Sequence, residues 1–315
     1  MNFQQLRSVR EVQRRGFNLT EVATALHTSQ PGVSRQVREL EEELGLALFE
    51  RSGKRLLGFT AAGRALLPII ERLLQDADAI KRASLELQGR EEGCLSIAAT
   101  HTQARYALPH VVKDFRLRYP KVVLHLHQGS PQQVANMLLA GDADIGVATE
   151  AIAQIPSLVT LPCYRWSHCV VVPPGHPLSR LSRPLALSDL VMYPIITYQQ
   201  GYTGRSHIDE AFLQAGLQPN VVLTAMDADV IKTYVELDMG VGIVASIAID
   251  ESRDTHLCAI DAGHLFQINV TRLAIRHNHW LPGFAFGFIE NFVPTLNRRM
   301  VMAAVESHGK PEASR

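Results

Sequence analysis

Apolar positions recur at helical spacing near the N-terminus and fall into strand-like runs further along. Leu6, Val9 and Val12 with Phe17 predict a first helix closed by Gly16. Asn18-Leu-Thr-Glu predicts the start of a short second helix, with Val22, Ala23 and Leu26 on its buried face. Thr28-Ser-Gln predicts a tight turn, with Ser29 as N-cap of a third helix and Pro31 inside its first turn. Val33, Val37, Leu40 and Leu44 bury one stripe of that helix and leave Pro31, Arg35 and Arg38 on the opposite side. Two short helices joined this way make a helix-turn-helix. Leu48 to Thr60 predicts a β-ribbon, or wing, with Arg51, Gly53, Lys54 and Arg55 at its tip.

Thr60-Ala-Ala-Gly63 opens a long helix that runs to about Gly89. Its apolar positions, Leu66, Ile70, Leu73, Ala77, Ile80 and Leu87, step by four and three, with Ser84 breaking the run. Such a heptad seam predicts pairing with another helix, and its length favours a dimer over packing on the chain's own core. From Cys94 onward the pattern changes. The runs LSIAAT, VVLHLHQ, ADIGVAT, HCVVVP, VVLTA, VGIVA and VTRLAIR alternate with helices at about 109–119, 131–140, 206–215, 227–238 and 283–293. This alternation predicts parallel sheets covered by helices. The expected domains are therefore 1–59, a linker helix at 60–89, and 93–307, with a loose tail after about Ser307.

The 315 residues are 46% hydrophobic and 20% charged, with a formal net charge of zero. That composition suits a soluble globular protein, and the bulk charge carries no sign of nucleic acid. The distribution does. Residues 1–38 hold Arg7, Arg10, Arg14, Arg15, Arg35 and Arg38 against Glu11 and Glu21 alone. The third helix is basic at its start, whereas Glu41, Glu42 and Glu43 crowd its end, where the helix dipole disfavours carboxylates. A helix polarised this way suits entry into a DNA groove by its N-terminus, and the wing cations suit phosphates or a minor groove. The expected DNA-facing residues are Thr28, Ser29, Gln30, Pro31, Ser34, Arg35, Arg38, Arg51, Lys54 and Arg55. No leader or membrane-spanning run is evident, so the expected location is the cytoplasm, without a membrane partner. Cys94, Cys163, Cys169 and Cys258 show no metal-ligand spacing and are expected as buried thiols. His125 and His127 alternate on one strand face and fit packing better than metal binding.

Candidate binding chemistry sits at strand ends, where open α/β sheets take ligands. LSIAAT ends at Thr100, followed by His101, Thr102 and Gln103. A second strand end leads from Thr197 through Thr203 into a helix, and a third stops at Thr149-Glu150. One hydroxyl at such a place is usually a helix cap. Three together, with hardly a carboxylate among them, predict a pocket for a small oxyanion. Glu150 is the exception, either bonding a ligand amine or lying at the rim. Catalysis finds no nucleophile elbow, phosphate loop or zinc-protease motif, and no cofactor or turnover is expected. Gly240-Val-Gly242 reads as a helix-to-strand turn, and Asp227 and Asp229, near Lys232, as helix-start acids.

These residues carry a resemblance. Ala23, Leu26, Thr28-Ser-Gln-Pro31, Ser34, Gln36-Val37, Leu40-Glu41, Leu44-Gly45, Leu48-Phe49, Arg51 and Thr60-Ala-Ala-Gly63 resemble LysR-type transcriptional regulators, with Gly32 where many members have alanine. Thr100 to Pro109, His127 to Pro131, Ala148 to Glu150, Leu161 to Tyr164, Thr203 to Ser206 and Asp227 to Tyr234 are similar to the CysB/Cbl branch, which controls sulfur assimilation genes. The likeness covers residues 1 to about 250. It implies a winged helix-turn-helix, a linker helix and a two-lobed effector domain of the periplasmic-binding-protein type. The chain would cross between lobes near Pro162 and Ala262, giving lobe I as about 93–162 and 263–307 and lobe II as about 163–262.

By the same resemblance, Thr100, Thr102, Gln103, Thr149 and Thr203 would contact sulfate or an acetylserine-like effector. Promoter DNA, RNA polymerase and further copies of the chain, as a dimer of dimers, are the partners it implies. The rival from another class is a solute-binding or enzymatic α/β protein whose N-terminal helices serve assembly. Within the class, cysteine biosynthesis and sulfonate use are not separated by these motifs.

Overall fold

In the computed structural model, which describes residues 1–53, 55–277 and 279–307 apart from the Glu150 and Ser307 side chains, the chain divides into two units, Met1–Gly89 and Arg90–Arg315. The first unit opens on α1 (Phe3–Arg14), started by a reciprocal capping box between Asn2 and Gln5. Asn18 caps α2 (Leu19–Ala25). Ser29 caps α3 (Gln30–Leu44) by accepting the Gly32 N–H at 3.2 Å, and Gly45 ends the helix in the left-handed conformation. The antiparallel ribbon is β1 (Phe49–Ser52) and β2 (Arg55–Phe59). Thr60 then caps α4 (Ala61–Leu87), accepting from Gly63 N at 3.0 Å and donating to Ala47 O at 2.6 Å.

Leu6, Val9, Val12, Val22, Val33, Val37, Leu40, Leu48, Phe49 and Phe59 form this unit's core. The seam expected on α4 divides. Ile70 is buried in that core beside Leu67 and Leu74, two positions outside the expected seam. Leu73, Ile80 and Leu87 are 37%, 72% and 89% exposed, so the stripe from Leu73 onward turns away from the core. The first turns of α4 therefore complete the small domain, and the later ones carry the seven-residue repeat.

The second unit holds two five-stranded sheets. In chain order the first lobe supplies β3 (Gly93–Ala99), a π-helical turn at Gln103–Ala107 leading into α5 (Leu108–Arg118), β4 (Val122–Gln128), α6 (Pro131–Ala140), β5 (Ile145–Thr149) and β6 (Leu158–Trp166). The second lobe follows with β7 (His168–Val172), α7 (Leu187–Leu190), β8 (Ile195–Tyr198), α8 (Arg205–Gln214), β9 (Val221–Ala225), α9 (Ala228–Glu236), β10 (Val241–Ala245) and β11 (Cys258–Asp261). The chain returns through β12 (Asn269–Arg276) to α10 (Gly283–Phe292) and α11 (Arg298–Ser307).

The sheet orders are β4-β3-β5-β12-β6 and β11-β7-β10-β8-β9. Both are mixed, which corrects the expectation of parallel sheets. Strand β6 leaves the first lobe beside the returning β12, and β7 enters the second beside the departing β11, so each pair is antiparallel. The crossing point also moves. Pro162 is paired with Arg272 inside the first sheet, and Ser167 alone separates β6 from β7. Cys163 to Trp166 therefore belong to lobe I. The return runs from Ala262 to Ile268, and Ala262 and Phe266 still pack in the core of lobe II. Pro162 obscured β6, because proline in a strand usually argues against one; here it sits on an edge strand at a shift of register.

Candidate functional site

The packing of α3 decides which of its polar side chains are available. With Val33, Val37 and Leu40 in the core, Gln30, Pro31, Arg35 and Arg38 stand exposed and Ser34 is half-buried. Thr28 and Ser29 are exposed in the turn, which His27 makes with a φ of 50°. Leu44 is 36% exposed, so the buried stripe ends at Leu40. Arg35 Nε donates to Glu39 Oε1 at 2.7 Å, one turn along, and Glu39 Oε2 accepts from Gln5 Nε2 at 3.3 Å. The guanidinium is thus held against its own helix.

The acidic end of α3 has a different use from the one its charge suggests. Glu41 Oε1 accepts the N–H groups of Leu48 at 2.8 Å and Phe49 at 3.1 Å, and Oε2 takes Arg51 Nη2 at 2.7 Å. Glu41 fastens the wing to the helix, and Arg51 belongs to that joint rather than to a free cationic tip. Lys54 lies outside the described residues. Arg55 is exposed and, with Arg15, Asn18, Thr20, Glu21 and Gln30, lines a hollow of about 690 Å³ beside the N-terminus of α2. The cations Arg15 and Arg55 there suit a phosphate backbone.

In the second unit the expected strand-end residues come together where the lobes meet. Thr100, Thr102, Gln103, Thr149 and Thr203 are each at most 4% exposed. Thr102 Oγ1 lies 3.4 Å from Thr203 Oγ1 across the lobes. Thr149 on β5 is paired with Thr271, which is paired with Tyr164 on β6, and the Tyr164 hydroxyl donates to Gln103 Oε1. These hydroxyls are not used as caps: neither Thr102 nor Thr149 makes a side-chain bond to the helical turn that follows it. The π-helical turn carries Gln103 inward, where its Nε2 is buried without a partner among the described residues. A buried amide donor without an acceptor is costly, and an oxyanion would satisfy it.

Other residues of these motifs do structural work. Thr197 Oγ1 donates to Ile243 O at 3.1 Å, and Arg205 is bound to Tyr198 O at 2.5 Å and to Asp209 at 2.7 Å. Ser130 and Gln133 form a capping box that starts α6. Asp227 is the N-cap of α9, as its position implied, accepting from Val230 N at 2.9 Å. Asp229 does more. It receives Arg105 Nε at 3.0 Å and the Tyr106 hydroxyl at 2.7 Å from the opposite lobe, with Lys232 Nζ at 3.3 Å. Burial opposes the Asp229 charge, but these donors outweigh it and hold its carboxyl below the usual range. This cross-lobe latch, and the tyrosines 106 and 164, escaped sequence reasoning, because only the fold brings residues some 120 positions apart together.

His168 was missed as well. It is fully buried at the head of β7, and burial lowers its pKa to about 4, against a weaker opposing effect of its bond to Thr203 O and a further lowering by His207. Its folded pKa lies below the ordinary value of 6.5, so an unfolded chain takes up the proton first. Stability contributed by neutral His168 is present above pH 6.5 and is lost as the pH falls towards 4. Urea unfolding should show that decline, up to about 3 kcal/mol, and His168→Gln should flatten it. An identical pH profile in the variant would assign the decline to other groups.

Residues 3–64 match the family described as bacterial regulatory helix-turn-helix protein, lysR family, and residues 88–295 match the LysR substrate binding domain. The chain is 55% identical over 297 residues to the HTH-type transcriptional regulator SsuR of Burkholderia cenocepacia, covering 94% of this chain and 96% of that protein. It is 49% identical over 310 residues to the HTH-type transcriptional regulator CysB of the same organism, covering 98% and 99%. Among solved structures, the cofactor-binding domain of the Cbl transcriptional regulator superposes with a TM-score of 0.65 at 44% identity, covering 68% of this chain and 93% of that one. The chain belongs to the LysR family of bacterial helix-turn-helix transcriptional regulators.

Proposed function

We propose that the chain regulates sulfur assimilation genes, binding promoter DNA through α3 and the wing and responding to a small oxyanion, sulfate or an acetylserine-like molecule, in the interlobe cleft. The observation that carries the ligand reading is the Gln103 Nε2 donor, without a partner among the described residues, set among Thr100, Thr102, Thr149 and Thr203, an arrangement that suits an acceptor-rich guest. Sulfur assimilation is what the resemblance to CysB and Cbl implies, and the similarity to SsuR, CysB and Cbl supports it. The exposed repeat of Leu73, Ile80 and Leu87 supports pairing of two copies through α4. Ligand binding favours one closure of the lobes and so one spacing of the DNA-binding heads.

The test is a gel shift of the purified chain on its own promoter region, with and without sulfate or acetylserine. A shift no stronger than on random DNA would point to the solute-binding or enzymatic reading. Arg35→Ala or Arg38→Ala should weaken operator binding by about 1–3 kcal/mol where a base contact is lost. Unchanged affinity and unchanged discrimination against random DNA would remove that arginine from the interface. Thr102→Val should abolish the ligand response and leave DNA binding intact. Calorimetry that finds full-affinity sulfate binding by this variant would sink the pocket. Transcript changes on deletion, under sulfate and under sulfonate growth, separate cysteine biosynthesis from sulfonate use.

A further inference from the structure

We infer that His168 and Asn269 are positioning residues: they hold Thr203 in the cleft and tie it to the strands by which the chain crosses between lobes. This rests on the cleft being the effector site. His168 is the first residue of β7, just past the outward crossing, and Asn269 is the first of β12, just past the return. Both are fully buried. His168 Nε2 lies 3.2 Å from the Thr203 carbonyl oxygen. A carbonyl only accepts, so Nε2 carries the proton and Nδ1 is left as an acceptor. Asn269 Nδ2 stands 3.5 Å from Nδ1 and is the donor that matches it.

The relay runs from Asn269 through the imidazole to Thr203, whose hydroxyl faces Thr102 in the other lobe. Thr203 needs such a hold. Its φ of 38° is unfavourable for a β-branched residue, and Gly204 follows with a φ of 66°. The loop is pressed so closely on the pair that a Cβ on Gly204 would lie 2.2 Å from Asn269 Oδ1 and 2.9 Å from His168 Cε1. Asn269 Oδ1 is itself buried without a partner among the described residues, so the amide carries a cost that a mere filler of space would avoid. The position of the ligand-facing hydroxyl is thus set from the crossing strands.

The rival is packing alone, because the His168 ring also meets Trp166 edge-on at 5.3 Å and Phe266 at 5.5 Å. Two substitutions in the full chain separate the roles. His168→Phe keeps an aromatic ring and loses the donor, whereas His168→Gln keeps an amide donor near the Nε2 position and loses the ring. With sulfate as the calorimetric probe, His168→Phe should weaken binding about tenfold or more, and His168→Gln should stay within about threefold. Equal losses, or the larger loss in His168→Gln, would overturn the inference in favour of packing. Should a variant fail to fold, ¹⁵N shifts of the unsubstituted protein decide: Nε2 protonated and Nδ1 bare is expected, and the opposite tautomer overturns the relay. Absence of sulfate binding by the unsubstituted protein would overturn the anion reading itself, while the tautomer would still report on the His168–Asn269 geometry.

Discussion

Gly63→Ala will destabilise the N-terminal unit by about 3 kcal/mol, the range of overpacking with loss of a helix cap. Helix propensity alone predicts the opposite, since alanine is favoured over glycine inside a helix by about 1 kcal/mol. The geometry reverses the sign. A Cβ at position 63 would lie 2.1 Å from the Leu48 carbonyl oxygen and 2.7 Å from Phe59 Cδ1. Leu48 is fully buried, and its N–H is held by Glu41, so this stretch of backbone has nowhere to move. The same displacement would pull Gly63 N from the Thr60 hydroxyl that caps α4. Urea unfolding of the full chain, followed by a probe in the first unit, reads the effect. A midpoint unchanged or raised would show that the wing and α4 are not locked together here.

Asp254→Ala will cost the effector unit about 3 kcal/mol, the low end of the penalty for breaking a buried ion pair, because Lys232 keeps Asp229 at 3.3 Å as a second partner. Lys232 Nζ reaches Asp254 at 2.9 Å and 3.0 Å and the Ala248 carbonyl at 3.0 Å. The two side chains are 7% and 11% exposed. Asp254 also accepts the Asp250 N–H at 2.8 Å, so its removal frees a loop donor too. Adding Lys232→Met to Asp254→Ala should recover much of the loss, because the weakly paired buried ammonium is then gone and Asp229 keeps Arg105 and Tyr106. If the single effects simply add, the ammonium and carboxylate do not act as a pair.

These two sites mark where reading by residue type succeeds and where it stops. Thr60 and Gly63 were legible as a helix start, and Ser29 and Pro31 as another, because caps are local: each bond spans three residues. The buried stripe of α3 was legible from spacing as far as Leu40 and failed at Leu44, where the helix runs past the small core. The heptad spacing on α4 predicts one seam, yet its first turns pack on the domain's own apolar residues through Leu67, Ile70 and Leu74. Glu41 and Arg51 misled, since a charge near a helix end has a default reading, and only the returning ribbon turns the pair into a joint. In the cleft the threonines were placed by a rule about strand ends. The direction of β6, β7, β11 and β12 was not, because nothing local tells a strand that its chain has changed lobes.

The sequence by itself determined the helix-turn-helix, the capped linker helix, most strands and the three strand ends, all set by spacing and short-range capping. Only the tertiary structure decided what the long-range partners do. It commits Glu41 to the wing, Arg205 to Tyr198 and Asp229 to the opposite lobe, and among the described residues it leaves Gln103 Nε2 without an acceptor. Hydrogen-bonding capacity is written in residue types, whereas its use depends on which groups burial brings within about 3 Å of each other.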